Sequence, residues 1–219
     1  MVVKERISII PLLLICLLVT ACTIVPIDPD DDGTAAPGSA VMQARDVESY
    51  LEDYWELYLL PEIYERRVEL ATLVNEANAS GWEHAGEVYG EIRGDIGANY
   101  NFIAYGTAYV RETNTESRNG FIVVELEGLD TYEIRILIGP ALSGSSIRDS
   151  LQFVDFNQFV NQVDFANLAR ELNSLGNENA QQDTDIFELD GQTITFTGAF
   201  TDPGNSDVIS IMPIFLEVE

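Results

Sequence analysis

The sequence has few of the residues from which most catalytic and metal sites are built. Its 219 residues include one histidine, His84, and two cysteines, Cys16 and Cys22. A single imidazole excludes a histidine-rich metal site, and no glycine-rich segment has phosphate-loop spacing. The segment GPALSGSS also lacks the Gly-x-Ser-x-Gly order of a nucleophile elbow. We therefore predict no cofactor, no metal site and no enzymatic activity.

Positive charge is also scarce. The chain has 11 Lys and Arg residues against 37 Asp and Glu residues, a net charge of −26, and Lys4 is its one lysine. Because such a field repels phosphate backbones, nucleic acid is excluded as a partner. The acidity suits life in high salt, where self-repulsion is screened, or reflects an acidic bias of the lineage. Composition does not choose between these explanations.

The first 22 residues have the pattern of a bacterial export signal. The apolar run over residues 7–19 follows Lys4 and Arg6 and is shorter than the roughly 20 residues that a membrane-spanning helix needs. The next residues, Val-Thr-Ala-Cys, resemble the lipobox, in which the cysteine is acylated and the chain is cut before it. We predict a signal peptide over 1–21, lipidation of Cys22, and anchoring to a bacterial membrane on the periplasmic side or at the cell surface. The alternative is an uncleaved anchor or a different cleavage position.

The mature chain divides into three parts. Residues 22–43 are rich in Asp, Pro and Gly and predict an acidic tether. Residues 44–98 predict a helical segment: a first helix over 46–60, a second from Pro61 through about Val74, and a short one over 82–89. The first helix has an apolar stripe that is either core or a sugar-stacking platform, formed by Val47, Tyr50, Leu51, Tyr54, Trp55 and Tyr58.

Residues 99–219 predict a barrel domain that packs with 44–98 as one unit. Apolar residues alternate over 102–111, 122–126, 134–138, 193–200 and 207–218, which is typical of half-buried strands. Pro213 implies an edge or a bulge in the last strand. We predict a helix from Asp155 with a buried stripe of Phe156, Phe159, Val160 and Val163, followed by a polar loop over 174–185. Three strands, a helix and two strands are the element order of the OB-fold. The predicted fold class is α+β, a five-stranded OB-like small β-barrel with an N-terminal helical segment.

Three stretches resemble a known family. NTESRNG (114–120), ILIGPALSGSSIRDSLQFVDFNQFVNQVDFANLARELN (136–173) and TFTGAFT (195–201) are similar to segments of the predicted periplasmic lipoproteins grouped as domain of unknown function 2291. The CTIVPI after the lipobox resembles the usual mature start of that family. The resemblance implies a cell-envelope lipoprotein, often encoded beside sugar ABC transporters. It implies no catalytic residue.

Two polar clusters are candidate sites for a ligand or a partner. The loop after the first strand contains Asn114, Thr115, Glu116 and Arg118. The guanidinium of Arg118 can bind a carboxylate or phosphate bidentately, or pair with Glu116. The alternative is a structural turn, in which a surface ion pair contributes little.

The second cluster is formed by Ser145, Arg148 and Asp149, which lead into the predicted helix. On that helix Asn157 and Asn161 are one turn apart and share a face. These side chains can form hydrogen bonds with the hydroxyl groups of a ligand in a cleft. The alternative is that they form a solvated helix face and helix caps.

Three functions are compatible with these patterns. An accessory protein that docks on a sugar ABC transporter or on its solute-binding protein predicts an exposed apolar patch ringed by polar residues. A sugar-like solute-binding module predicts a concave pocket with aromatic walls near Arg118. A hydrolase requires two converging titratable groups with separated pKa values. We rank the accessory protein first and the hydrolase last.

Overall fold

A computed structural model describes residues 47, 51, 54–94, 98–152, 154, 156, 159 and 161–219. The predicted signal peptide, Cys22, the acidic tether, Asp155 and Asn157 lie outside these residues. No helix in the described ranges is long and apolar enough to cross a membrane.

The described chain begins with helices that differ in part from the prediction. A π-helical turn, Trp55–Leu59, continues directly into α1, Leu60–Arg66, and Pro61, which has no N–H to donate, lies in the first turn of α1. The prediction of one helix from Pro61 through Val74 is wrong. The chain instead extends as β1, Val68–Glu69, which pairs in parallel with a later strand, and then forms α2, Leu70–Ser80.

The short helix α3, Trp82–Tyr89, has the predicted bounds and follows Gly81, whose φ of 91° favours glycine. Its His84 is half exposed, and the imidazole nitrogens lie 3.5 and 3.7 Å from carboxylate oxygens of Glu76 and Glu87. His84 is therefore a surface residue.

The rest of the chain forms the sheet and two further helices. In chain order these elements are β2 (Glu91–Ile92), β3 (Tyr100–Asn114), β4 (Phe121–Leu126), β5 (Leu129–Leu137), α4 (Ser146–Ser150), α5 (Gln162–Gln181), β6 (Thr193–Thr201) and β7 (Val208–Val218). The five long strands pair in the order β3-β4-β5-β7-β6, and β6 returns to β3, which closes the ring. The β5–β7 pairing is parallel, and the other four are antiparallel. The predicted OB-like α+β fold is confirmed.

The inward side chains of the ring form one core, as the alternation predicts. Its fully buried members include Phe102, Phe196, Phe200, Ile122, Ile134 and Ile136. Trp82 packs edge-on to Phe200, at 5.8 Å between ring centroids, and its Nε1–H donates to Tyr132 Oη over 3.0 Å. The bond satisfies the indole donor where it is removed from water.

A second core lies outside the ring, between its wall and the helices. Ile103, Ala199, Met212 and Ile214 of the wall cluster with side chains of the N-terminal helical segment, α4 and α5. Val47, Leu51 and Trp55 belong to this cluster and are buried, which confirms the core interpretation for these three residues of the predicted stripe. Tyr50 lies outside the described residues, Tyr54 is half-buried, and 46% of the surface of Tyr58 is exposed.

Helix α5 begins later and ends later than predicted. Asn161 is its N-cap, and the proposed stripe residues Phe156 and Val163 are 43% and 66% exposed. The predicted polar loop over 174–185 is helical through Gln181. Pro213 lies at a shift of the β6–β7 register, which confirms the predicted bulge.

Candidate functional site

The loop between β3 and β4 contains the first predicted cluster. Thr115, Glu116 and Arg118 are exposed, and among the described residues no carboxylate pairs with Arg118. Asn114 ends β3 opposite Phe121, and its buried Oδ1 has no hydrogen-bond partner within the described chain. Of the two roles considered for Arg118, pairing with Glu116 is not found among the described ion pairs.

Backbone bonds fix this loop against the segment that follows β5. The carbonyl of Arg118 accepts from Ala141 N over 3.0 Å, and that of Gly120 accepts from Ile138 N and Gly139 N over 2.9 and 3.0 Å. A Cβ on Gly139 would collide with the Arg118 carbonyl oxygen and with Gly120 N. The loop and the segment after β5 can approach this closely because position 139 is a glycine. These contacts support the interpretation of the loop as a structural turn.

The second predicted cluster is occupied by internal contacts. Arg148 binds Asp149 bidentately, with Nε–Oδ1 and Nη2–Oδ2 distances of 2.7 and 3.0 Å, and its Nη1 donates to Phe165 O over 3.0 Å. Its guanidinium carbon lies 3.7 Å from the centroid of the Phe165 ring. Arg148 thus holds the short helix α4 on α5, and few of its N–H donors are left for a ligand.

Asn161 uses its side chain as a helix cap, and Ser145 does not. Ser145 is the N-cap of α4 but makes no side-chain capping bond. Asn161 Oδ1 accepts from Val163 N and Asp164 N over 2.8 and 3.1 Å, so the amide predicted to read hydroxyl groups is used by its own helix. No hydrogen bond or ion pair between described residues joins the Arg118 cluster to the Arg148 cluster.

An aromatic-walled groove lies on another face of the ring, and we call it the Arg67 groove. It has a volume of about 600 Å³, within the usual range for small-molecule sites. Its lining comes from the outer face of β3, β6 and β7 and from the chain around β1. The polar and aromatic members are Arg67, Glu69, Tyr105, Thr107, Glu127, Thr195, Thr197 and Phe215. Arg118 does not line it.

Arg67 is held in a fixed position at one wall of this groove. Its guanidinium carbon lies 4.6 Å from the ring centroid of Tyr64 and 4.9 Å from that of Tyr105. Its Nη1 donates to Thr197 Oγ1 over 3.2 Å. Two aromatic rings and a hydroxyl therefore orient a cation in a strongly acidic protein, with further N–H donors free to bind.

The groove opens at an interruption of the sheet. On the side away from β6, β3 pairs with β1 at Ala104 and Tyr105 and with β4 from Tyr109 onward. Among the described strands, residues 106–108 have no partner on that side, and Gly106 and Thr107 of this stretch line the groove. Peptide groups at such an interruption are available for hydrogen bonds with a ligand.

The groove contains none of the predicted site residues, although the sequence carries a signal for it. The outward positions of β6 read Thr193, Thr195 and Thr197, and they pair with Tyr109, Thr107 and Tyr105 of β3. An unbroken row of hydroxyl and phenol groups is more uniform than an ordinary solvated face. Arg67 gave no signal, because its contacts with Tyr105 and Thr197 join residues that are distant in the chain.

A third feature is an exposed apolar stripe along the first helical segment. Leu57 is 71% exposed, Tyr58 46% and Tyr64 42%, and Pro61 between them is also exposed. Leu57, Pro61 and Tyr64 recur at helical spacing and face away from the buried Leu59 and Ile63. We call these four residues the Leu57 stripe.

The closed five-stranded ring and its connections define an OB-fold protein. A crystal structure of an OB-fold protein from Thermotoga maritima is similar, with a TM-score of 0.56 and 17% sequence identity over 80% of this chain and 96% of that one. No curated protein sequence matches the chain. The model of the predicted periplasmic lipoproteins, domain of unknown function 2291, matches residues 12–217. The chain belongs to this family, which confirms the predicted extracytoplasmic, lipid-anchored location; lipidation at Cys22 itself stays a prediction.

Proposed function

We propose that this lipoprotein is a non-enzymatic accessory protein that docks on the extracytoplasmic side of a sugar ABC transport system. The observation that carries the proposal is the Leu57 stripe. Isolated exposed apolar residues are normal, but four of them on successive helical turns form a continuous surface. Tyrosine is also enriched at protein interfaces, where its ring packs and its hydroxyl stays hydrated.

The local backbone supports a docking role for the stripe. Leu57 and Tyr58 lie in the π-helical turn, a geometry that is frequent at functional sites. The inner face of the same turn is anchored in the second core through Trp55 and Leu59, so the stripe is presented on a rigid element. With a chain charge of −26, the expected partner has an apolar groove bordered by Lys or Arg.

Three forms of the full-length lipidated protein, extracted in detergent from its own cells, test the proposal. They are the native chain, Leu57→Glu, and a matched control, Val163→Glu, which changes a 66% exposed apolar residue at the start of α5. We expect transporter subunits or a solute-binding protein to co-purify with the native and control forms and to be lost with Leu57→Glu. Equal recovery with Leu57→Glu, or no transport protein in any eluate, would contradict the proposal.

The solute-binding alternative, as predicted at Arg118, has less support. Arg118 lines none of the three cavities described for this chain, whose volumes are about 600, 730 and 460 Å³. Solute binding at Arg118 is therefore the weaker proposal, and docking through the Leu57 stripe is the better supported one.

A further inference from the structure

We propose that the Arg67 groove is a binding site for a neutral saccharide, recognised by its hydroxyl groups and by the apolar face of its ring. This proposal does not rest on docking through the Leu57 stripe, although Tyr64 of that stripe also packs on Arg67 at the wall of the groove. It also lies away from Arg118 and from the Arg148 cluster.

The chemistry of the lining favours a polyhydroxylated ring. Hydroxyl groups of Thr107 and Thr195 and the phenol of Tyr105 donate and accept, as sugar hydroxyls do. The rings of Tyr105 and Phe215 supply flat apolar surface for the C–H face of a sugar. A purely apolar ligand would leave these hydroxyls without partners, at a cost in affinity.

The charges around the groove favour a neutral ligand. Arg67 supplies donors, and Glu69 and Glu127 supply acceptors, so the local groups match a ligand that has both. An anionic ligand would meet two nearby carboxylates and a chain of net charge −26. A cationic ligand would meet the fixed guanidinium of Arg67, which is held between Tyr64 and Tyr105.

The interruption of the sheet adds main-chain groups to this set. Residues 106–108 have no strand partner on the groove side, and Gly106 and Thr107 both line the groove. Backbone groups held by the β3–β6 pairing are rigid and recognise hydroxyls with little loss of flexibility on binding. The groove therefore combines aromatic faces, hydroxyls, opposite charges and open peptide groups on one surface.

Binding of a defined panel to the full-length protein in detergent tests the proposal. The neutral probes are maltotriose, cellotriose, mannotriose, xylotriose and chitotriose, and the anionic probe is trigalacturonate. Dissociation constants are measured by isothermal titration calorimetry, with saturation-transfer difference NMR to detect weak binding. The variants are Tyr105→Ala, Thr195→Val and a matched control, Tyr109→Ala. Tyr109 lies on the same face of β3, is 48% exposed and does not line the groove.

We expect at least one neutral trisaccharide to bind. Tyr105→Ala and Thr195→Val should each weaken that binding by about three- to tenfold, while Tyr109→Ala leaves it unchanged. Circular dichroism checks that each variant is folded, and Thr195→Val, which keeps the side-chain shape, provides the test if Tyr105→Ala is not. Absence of binding to every neutral probe would overturn the proposal. Tighter binding of trigalacturonate, or equal weakening by Tyr109→Ala, would also overturn it. None of these results depends on the Leu57 stripe, so failure here is distinct from failure of the docking proposal.

Discussion

Substitution of Asn161 tests whether its side chain caps α5 or binds hydroxyl groups of a ligand, as its position in the sequence suggested. Its side chain accepts from two amides at the start of α5, and its Nδ2 donates to Asp164 Oδ2 over 3.0 Å. The backbone of Asn161 is extended, with φ −159° and ψ 174°, as an N-cap requires. Asn161→Ala removes all three bonds and leaves amides of a 20-residue helix without partners.

The expected cost follows from capping energetics. Loss of an N-cap side chain lowers the free energy of unfolding by about 0.5–2 kcal/mol. Because Asn161 also bonds to Asp164, we expect a loss in the upper part of that range for Asn161→Ala, about 1–2 kcal/mol. For a domain of this size each kcal/mol lowers Tm by about 2–4 °C, so Asn161→Ala should lower it by roughly 2–8 °C. Asn161→Ser keeps a capping oxygen and should stay close to the native Tm.

Thermal unfolding of the full-length protein in detergent, followed by circular dichroism at the helical band, measures both variants. A native Tm for Asn161→Ala would refute the capping role. An equal loss for Asn161→Ser and Asn161→Ala would show that the amide acts through something other than its capping oxygen. Saccharide binding in the Arg67 groove should be unchanged in both variants, because Asn161 does not line it.

Three further predictions concern stability and location. Trp82→Ala should destabilise the protein by about 3–5 kcal/mol in urea unfolding, because it leaves a cavity beside Phe102 and Phe200; a loss below about 1 kcal/mol would contradict this packing. Gly139→Ala should cost about 1–3 kcal/mol in the same assay, because its Cβ meets backbone atoms rather than a flexible side chain; native stability would show that the loops separate freely. Cys22→Ala should move the protein from the membrane fraction to the soluble fraction, and persistence in the membrane would contradict lipidation at Cys22.

The strands were predictable because their inward apolar residues alternate with residues of the outer face, although the second core covers part of that outer face on β3, β6 and β7. The start of α5 was not, because Phe156, Phe159 and Val163 imitate a helical stripe although two of the three are largely exposed. The end of α5 was also predicted wrongly, because the polar sequence from residue 174 to Gln181 resembles a loop. Tertiary contacts override the local preference there, in a way that side-chain spacing alone does not reveal.

The polar residues near the end of α5 bond to the backbone around the ring. Asn173 Nδ2 donates to Gly144 O over 3.0 Å, Asn179 Nδ2 to Ile214 O over 2.6 Å, and Gln181 Nε2 to Ile138 O over 3.0 Å. Gly176 lets the helix approach β7, because a Cβ there would lie 2.8 Å from Pro213 O. Such residues resemble a loop in sequence because their partners lie elsewhere in the chain.

The candidate site was less predictable than the fold, for a related reason. Arg118 and Arg148 were conspicuous as rare cations, but one is exposed without an ion pair in the described chain and the other is bound to Asp149 and Phe165. The cation that lines the groove, Arg67, lies 38 residues from Tyr105 and 130 from Thr197. Their proximity arises when the ring closes.

The fixed position of Arg67 has a consequence for the strength of binding. Immobilising a free arginine side chain costs about 1.5–2 kcal/mol of conformational entropy. Tyr64, Tyr105 and Thr197 already restrict this side chain in the folded protein, so most of that cost is borne when the chain folds rather than when a ligand arrives. A weak, neutral ligand then meets a preorganised donor, and more of its contact energy is available as affinity.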